Sequence, residues 1–373
     1  MNQLRNYIAT LFLFAVITNA YPQWNNSSLL CDKKYNEIAF LTTHNAFNSA
    51  QDNFKFPNQN YSITRQLVDG VRALMIDVYD VDGIPTVYHG KSFLGKQPLS
   101  KNLNEIYDFL IHNPNEVVTI IFECNVSANQ IHSELDKSDL LTMAYTKNDS
   151  DEWPTLQAMI DSGKRLMVFT DKKDASSSQK WYHYIWKYAV ETSFEVTNTD
   201  NFTTDFNRGN ATNDLFILNH FVVNATIGTG IRTKAEIVNS KTFLTNRFEK
   251  CMSEKAKSPN FVTVDFYDLG NCMSAVNQLN GIQDSVPETV DLNAKPLLYP
   301  NPVSSKSTVE MPKAARPPFD FAIQTLNGQY ITSFKREWET TFSIEKKSIQ
   351  KGIYLLNIID VNCRGFALKI VVL

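Results

Sequence analysis

The sequence predicts an α/β chain: a TIM-like (β/α) barrel followed by a small all-β antiparallel sandwich. Three observations carry that prediction. Short apolar runs that each end in a polar side chain alternate with stretches of helical spacing over about 250 residues, the length of one parallel barrel. Composition changes near residue 284, where Gln283 to Lys295 is polar and poor in aromatic residues. Beyond it the apolar runs are short and broken by Asn327-Gly328, a hairpin signal.

Taken in order, Glu37 to Thr43 is the first apolar run and leads into His44-Asn45, as a buried strand leads into a loop. Val71 to Asp77 is the second run, and Ile84 to Tyr88 a weaker third that delivers His89-Gly90. From Asn102 the period changes. Leu103, Ile106, Tyr107 and Leu110 fall at helical spacing, Asn102 and Glu105 stand like a capping box, and Asn113-Pro114 stops the helix. Val117 to Phe122 is almost wholly apolar, as a strand buried on both faces must be, and Glu123 ends it. Trp153-Pro154 opens a second helix that carries Leu156, Met159 and Ile160 and closes at Gly163. Arg165 to Thr170, Leu215 to Leu218 and Phe261 to Phe266 are further strands, ending near Asp171, Asn219-His220 and Tyr267-Asp268. In a closed parallel barrel all these strand ends converge on one mouth, so one geometric cause explains the repeated pattern. The alternative is an open doubly wound sheet, but no Gly-rich phosphate fingerprint follows the first strand.

The chain's 373 residues, 43% of them hydrophobic, suffice for one large core and one small one. A net charge of −3 offers no basic face, which argues against nucleic acid as a partner. Arg5, the apolar run Tyr7 to Ile17 and Thr18-Asn19-Ala20 have the pattern of a signal peptide over 1–20; the run is shorter than the roughly 20 residues of a membrane span. The expected organisation is therefore a leader (1–20), a barrel (21–283), a linker (284–297) and a tail domain (298–373). None of the five cysteines forms a CxxC or CxxH pair, which argues against zinc. Cys251 and Cys272, which flank one predicted strand, are the candidate disulfide pair; Cys124 reads as a buried filler.

The chemistry is concentrated between residues 38 and 125. Histidine titrates near neutrality, so His44 and His89 facing one phosphate can serve as base and acid in turn. Negative charge gathering on phosphate oxygens needs a cation, either an arginine or a bound metal. Asn45, Asp77 and Glu123 offer only oxygen, which suits a hard ion such as Ca2+. Arg72, Asp265 and Tyr267 are candidate substrate-binding residues. His220 reads as structural. Phe47, Phe54, Phe56 and Phe93 are candidates for an apolar rim making transient contact with a membrane surface.

The motifs LTTHNAF, GVRALMIDVYD, VYHG and VVTIIFECN resemble, in order and spacing, the X region of phosphatidylinositol-specific phospholipase C. DEWPTLQAMI, GKRLMVFTD, PNFVTVDFYD and QLNG extend the likeness to secreted X-domain-like proteins over residues 35 to 283. The resemblance implies a TIM-barrel phosphodiesterase in which His44 and His89 are the catalytic pair. It also implies that Asn45, Asp77 and Glu123 are calcium ligands, and that phospholipid or inositol phosphate is the substrate. Met75 stands where the family has a further carboxylate, which weakens the implied calcium site. YPNPVSS, TLNGQ, KGIYLL and the terminal KIVVL resemble a type IX secretion system C-terminal sorting domain. That likeness implies a bacterial protein, secreted or held at the cell surface, with the type IX machinery as partner. Two other readings are a surface module that binds phospho-headgroups with little catalysis, and a glycerophosphodiesterase-like hydrolase.

Overall fold

The computed structural model describes residues 28–373 apart from 174–178, 227, 284–290, 292, 333–334 and 348. The leader expected at 1–20 lies outside the described residues, as does much of the 284–297 linker.

The barrel begins with β1 (Phe40–Thr43), α1 (Ile63–Val68), β2 (Ala73–Val81), β3 (Ile84–Val87) and β4 (Gln97–Pro98). Then come α2 (Leu99–His112), β5 (Val118–Asn125), α3 (Ala128–Lys137), α4 (Leu156–Asp161) and β6 (Leu166–Thr170). β7 (Tyr182–Tyr184), α5 (Ile185–Tyr188), β8 (Ala189–Thr192), β9 (Phe206–Gly209) and β10 (Leu215–Asn219) follow, and α6 (Arg232–Val238), α7 (Lys241–Lys255), β11 (Phe261–Val264) and α8 (Cys272–Leu279) complete it. The sheet runs β7-β6-β5-β2-β1-β11-β10-β8-β9, with parallel pairing everywhere from β7 to β8. This is the expected TIM-like architecture, but the ring does not close. β7 has three residues and β9 runs antiparallel to β8, so neither edge offers the parallel partner that closure needs. Among the described residues no pairing joins β7 to β9.

Strand alternation sorts the side chains. On β2, Leu74, Ile76 and Val78 pack outward under the helices, while Ala73 and Met75 face inward with Ile121, Phe169, Ile217 and Phe261. Tyr35 plugs this inner layer, its hydroxyl bonded to Thr119 and its ring against Phe40, Trp153 and Phe261. With the floor filled by aromatic rings, the inward-facing side chains at the opposite mouth are free to be polar.

Local expectations differ at three points. α2 starts at Leu99, because Pro98 presets the cap at φ −60°; Asn102 turns inward, its Oδ1 accepting from Gln97. α4 begins only after Thr155, whose hydroxyl caps Ala158 N–H, so Trp153-Pro154 is its approach. α3 was not foreseen; its Ser127/Gln130 capping box was legible but only Ile131, Glu134 and Leu135 are buried, leaving a faint periodicity. The proposed disulfide is also corrected: Cys251 on α7 and Cys272 on α8 are both buried free thiols, and burial pushes the Cys272 thiol up to about 12.

The tail forms two antiparallel sheets around one core. β12 (Leu297–Tyr299), β13 (Lys306–Glu310) and β16 (Thr341–Glu345) make one; β14 (Phe319–Thr325), β15 (Lys335–Glu337), β17 (Gly352–Ile359) and β18 (Gly365–Val372) make the other. Val309, Phe321, Phe342, Leu356 and Ile370 fill the space between them. Chain reversal after β14 occurs at Asn327-Gly328, where Gly328 has φ +90°.

Candidate active site

His44 follows β1 and Asp265 follows β11, the neighbouring parallel strand, so register alone sets their side chains together. His44 Nδ1 donates to Asp265 Oδ1 at 3.0 Å, and Asn58 Nδ2 donates to the same oxygen at 2.9 Å. Phe221 stacks on the imidazole at 4.0 Å and fixes the ring plane. Asp265 is 1% exposed, so it backs His44 from within the wall. This corrects its reading as a substrate-binding residue.

On the other side, Asp77 and Glu123 lie opposite each other on β2 and β5. Asp77 Oδ2 accepts from His89 Nδ1 at 3.2 Å, and His89 Nε2 donates to the Gly228 carbonyl at 3.3 Å. Both ring nitrogens of His89 thus face acceptors, which requires a proton on each. Burial, the largest single influence, favours the neutral ring; the Asp77 hydrogen bond and charge, with help from Gly228 and Asp265, outweigh it and raise the pKa.

Asn45 joins the two halves. Hydrogen-bond complementarity directs its amide oxygen to His44 Nε2 and His89 Nδ1, each at 3.2 Å, and its nitrogen to the Asp77 oxygens at 3.1 and 3.2 Å. To do so immediately after His44 it takes φ 48°, a left-handed conformation that asparagine tolerates better than most residues. The two imidazoles stand 6.3 Å apart, centroid to centroid, at one mouth. Proton transfer to and from one phosphate needs such proximity.

Glu123 opens to the mouth, and its carboxyl is held above the usual carboxylate range by burial first, then by Asp77 and Asp171. Tyr79 and Tyr88, stacked at 4.2 Å, stand beside this acidic wall.

The calcium ion implied by the resemblance would meet candidate ligands that are already hydrogen-bonded to one another and to the histidines. The Asn45 oxygen faces two imidazoles, and the Asp77 oxygens accept from Asn45 and His89. Met75, one turn of the pleat below Asp77, packs into the apolar inner layer. Among the described residues no three His, Cys, Asp or Glu side chains are placed to hold a metal.

Two further candidates are corrected. Arg72 precedes β2 and so sits at the opposite end of the barrel, 4% exposed, its Nε donating to Glu116 at 2.8 Å and its Nη1 to the Leu67 and Val71 carbonyls. Tyr267 is two residues beyond Asp265 and should share its face, but Phe266 turns the chain with φ 48°. The Tyr267 ring therefore enters the outer core, and its hydroxyl donates to Asp69 at 2.8 Å. His220 is structural as expected: it donates to the Val238 carbonyl, accepts from Arg247, and burial drops its pKa to about 3. Of the four rim phenylalanines, Phe47 and Phe54 are core residues, whereas Phe56 and Phe93 are 54% and 75% exposed.

Sequence reasoning missed Glu191 and Arg208, and named Asn219 only as a strand end. Glu191 ends the apolar run of β8 and points inward; Asn219 Nδ2 donates to it at 3.0 Å and Arg208 pairs with it from β9. The same rule of an apolar run ending in a carboxylate applied there. It was hidden because the preceding WYHYIWKY stretch follows no single period.

The chain was compared with known families and proteins. The family model "PI-PLC X 1" matches residues 30–280, and the secretion system C-terminal sorting domain model matches 297–372. A PI-PLC X domain-containing protein of Arabidopsis thaliana is 28% identical, the match covering 68% of this chain and 64% of that protein. A secreted protein of Arthroderma benhamiae is also 28% identical, over 70% of this chain and 64% of its own length. The chain thus spans less than two thirds of either relative. A further PI-PLC X domain-containing protein of that fungus is 26% identical, over 72% and 90%. Among solved structures, the phosphatidylinositol-specific phospholipase C of Listeria monocytogenes aligns with TM-score 0.49 and 17% identity, over 68% of this chain and 96% of that one. With its barrel matched from end to end, the chain belongs to the PI-PLC X domain family and carries a secretion system C-terminal sorting domain behind the barrel.

Proposed function

We propose that the protein is an extracellular phosphodiesterase that cleaves the headgroup of a phosphatidylinositol-type lipid by two-histidine acid/base catalysis. The observation that supports this best is the pair of imidazoles sharing the Asn45 oxygen, each backed by a carboxylate. His44, with Asp265 behind its Nδ1–H, takes the proton of the inositol hydroxyl adjacent to the phosphate. That oxygen bonds to phosphorus, the bond to the lipid oxygen breaks, and His89 protonates the departing diacylglycerol. In this reading the reaction runs on the chain's own groups. Incubation with phosphatidylinositol vesicles, followed by phosphorus NMR, should show a cyclic inositol phosphate at a rate unchanged by a calcium chelator. Phosphatidate or an acyclic inositol phosphate as the first product, or complete loss of turnover with chelator, would overturn the respective half of this reading.

The substrate lies in a bilayer surface, so the mouth must approach one. Phe93 follows His89 by four residues and is largely exposed, a position suited to inserting between headgroups. Phe93→Ser should weaken sedimentation with phosphatidylinositol vesicles by about tenfold, the transfer free energy of one aromatic ring, while leaving hydrolysis of a soluble inositol phosphodiester unchanged. Equal vesicle binding by both proteins would refute the contact.

A further inference from the structure

Arg208 combines three features. Its guanidinium lies between the rings of Trp186 and Phe194, at 4.3 and 4.7 Å from their centroids. Its Nε is bonded to Glu191, which is 2% exposed and receives Asn219 on its other oxygen. Its side chain is nonetheless 46% exposed, and among the described residues neither terminal amino group has a hydrogen-bond partner. An arginine left to solvent samples many rotamers; this one is held by two rings and a buried carboxylate, with the outer fork of its guanidinium open. Such a fork matches two oxygens of a phosphate.

We propose that Arg208 is the anion anchor of the mouth, binding a phosphate oxygen of the headgroup and placing positive charge beside it. Glu191 is its positioning residue. The placement fits: Glu191 and Asn219 end β8 and β10, next along the sheet from the β11–β1 pair that carries Asp265 and His44. Across the mouth, the charge of Arg208 is felt at the Glu123 carboxyl, where it opposes the effect of Asp77 and Asp171. The inference rests on the reading of this mouth as a phosphodiester site. It differs from that reading in locating the cation on β9, an antiparallel edge strand outside the parallel ring.

The test uses the full chain and myo-inositol 1-phosphate as probe, titrated calorimetrically into the His44→Ala protein, which binds without turnover. Adding Arg208→Gln should weaken binding at least about tenfold, the worth of one charge-assisted bidentate contact, and remove most of its salt dependence. Arg208→Lys should recover only part of it, since an ammonium has no fork. Because Arg208→Gln strands the buried Glu191, the paired Arg208→Gln/Glu191→Gln protein is measured as well; it restores neutrality and should bind as weakly. Probe affinity unchanged in both Gln variants overturns the anchor. Vesicle turnover measured with His44 intact separates the two claims: Arg208-dependent binding without any turnover in the otherwise wild-type protein keeps the anchor and rejects the enzyme.

Discussion

His89→Ala and His44→Ala should each lower kcat on phosphatidylinositol by about a hundredfold to ten-thousandfold, the usual worth of general acid or base, while myo-inositol 1-phosphate still binds. The roles are distinguishable because the two rings are prepared differently. His89 is proton-laden: both nitrogens face acceptors and Asp77 raises its pKa. It acts as the acid, so activity needs its protonated form and is lost as pH rises through that raised pKa. Asp77→Asn removes the charge that raises it, so the alkaline limb of the kcat/KM profile should move to lower pH. His44 differs: a buried carboxylate holds Nδ1 and the Asn45 oxygen faces Nε2, so it serves as the base only in the form that has given up the Nε2 proton. A leaving group that needs no protonation, such as a nitrophenolate, should rescue His89→Ala and not His44→Ala. Rescue of both variants, or full activity in either, would remove the assignment.

What could be read from sequence follows from the geometry of parallel strands. Position along a strand is legible, because an apolar run must end where the barrel opens; His44, Asp77 and Glu123 were placed at the mouth by that rule alone. Which face a side chain takes is legible only while the chain stays extended. Phe266 at φ 48° breaks parity one residue after Asp265, which is why Tyr267 went astray. Arg72 failed for a related reason: it stands before the first paired residue of β2, at the end where a barrel keeps its structural contacts. Asn45 was found as a residue, but its bridge to two imidazoles was not, because that contact depends on backbone rotation that no spacing encodes. Arg208 lies on an edge strand of four residues with little burial, where periodicity carries almost no information.

Asp265→Asn tests the deepest part of the site. The substitution keeps volume and keeps an oxygen for Asn58, so folding should be preserved; what it removes is the negative charge behind His44 Nδ1. Without it the ring is free to place its single proton on Nε2, the nitrogen that must accept, and the imidazolium formed in the reaction loses its counter-charge. The expected result is a fall in kcat of about a hundredfold or more with little change in the affinity for myo-inositol 1-phosphate, since the residue does not reach the ligand. Asp265→Glu should not restore the rate. Gly230 packs directly on the Asp265 carboxylate, so closely that even a Cβ there would collide with it, and the wall has no room for another methylene. If the glutamate variant recovered most of the activity, charge at any position near His44 would suffice, and the alignment of carboxylate, imidazole and substrate hydroxyl would lose its claim to explain the rate. Full activity in the asparagine variant would go further, since no base at His44 would then need the carboxylate at all.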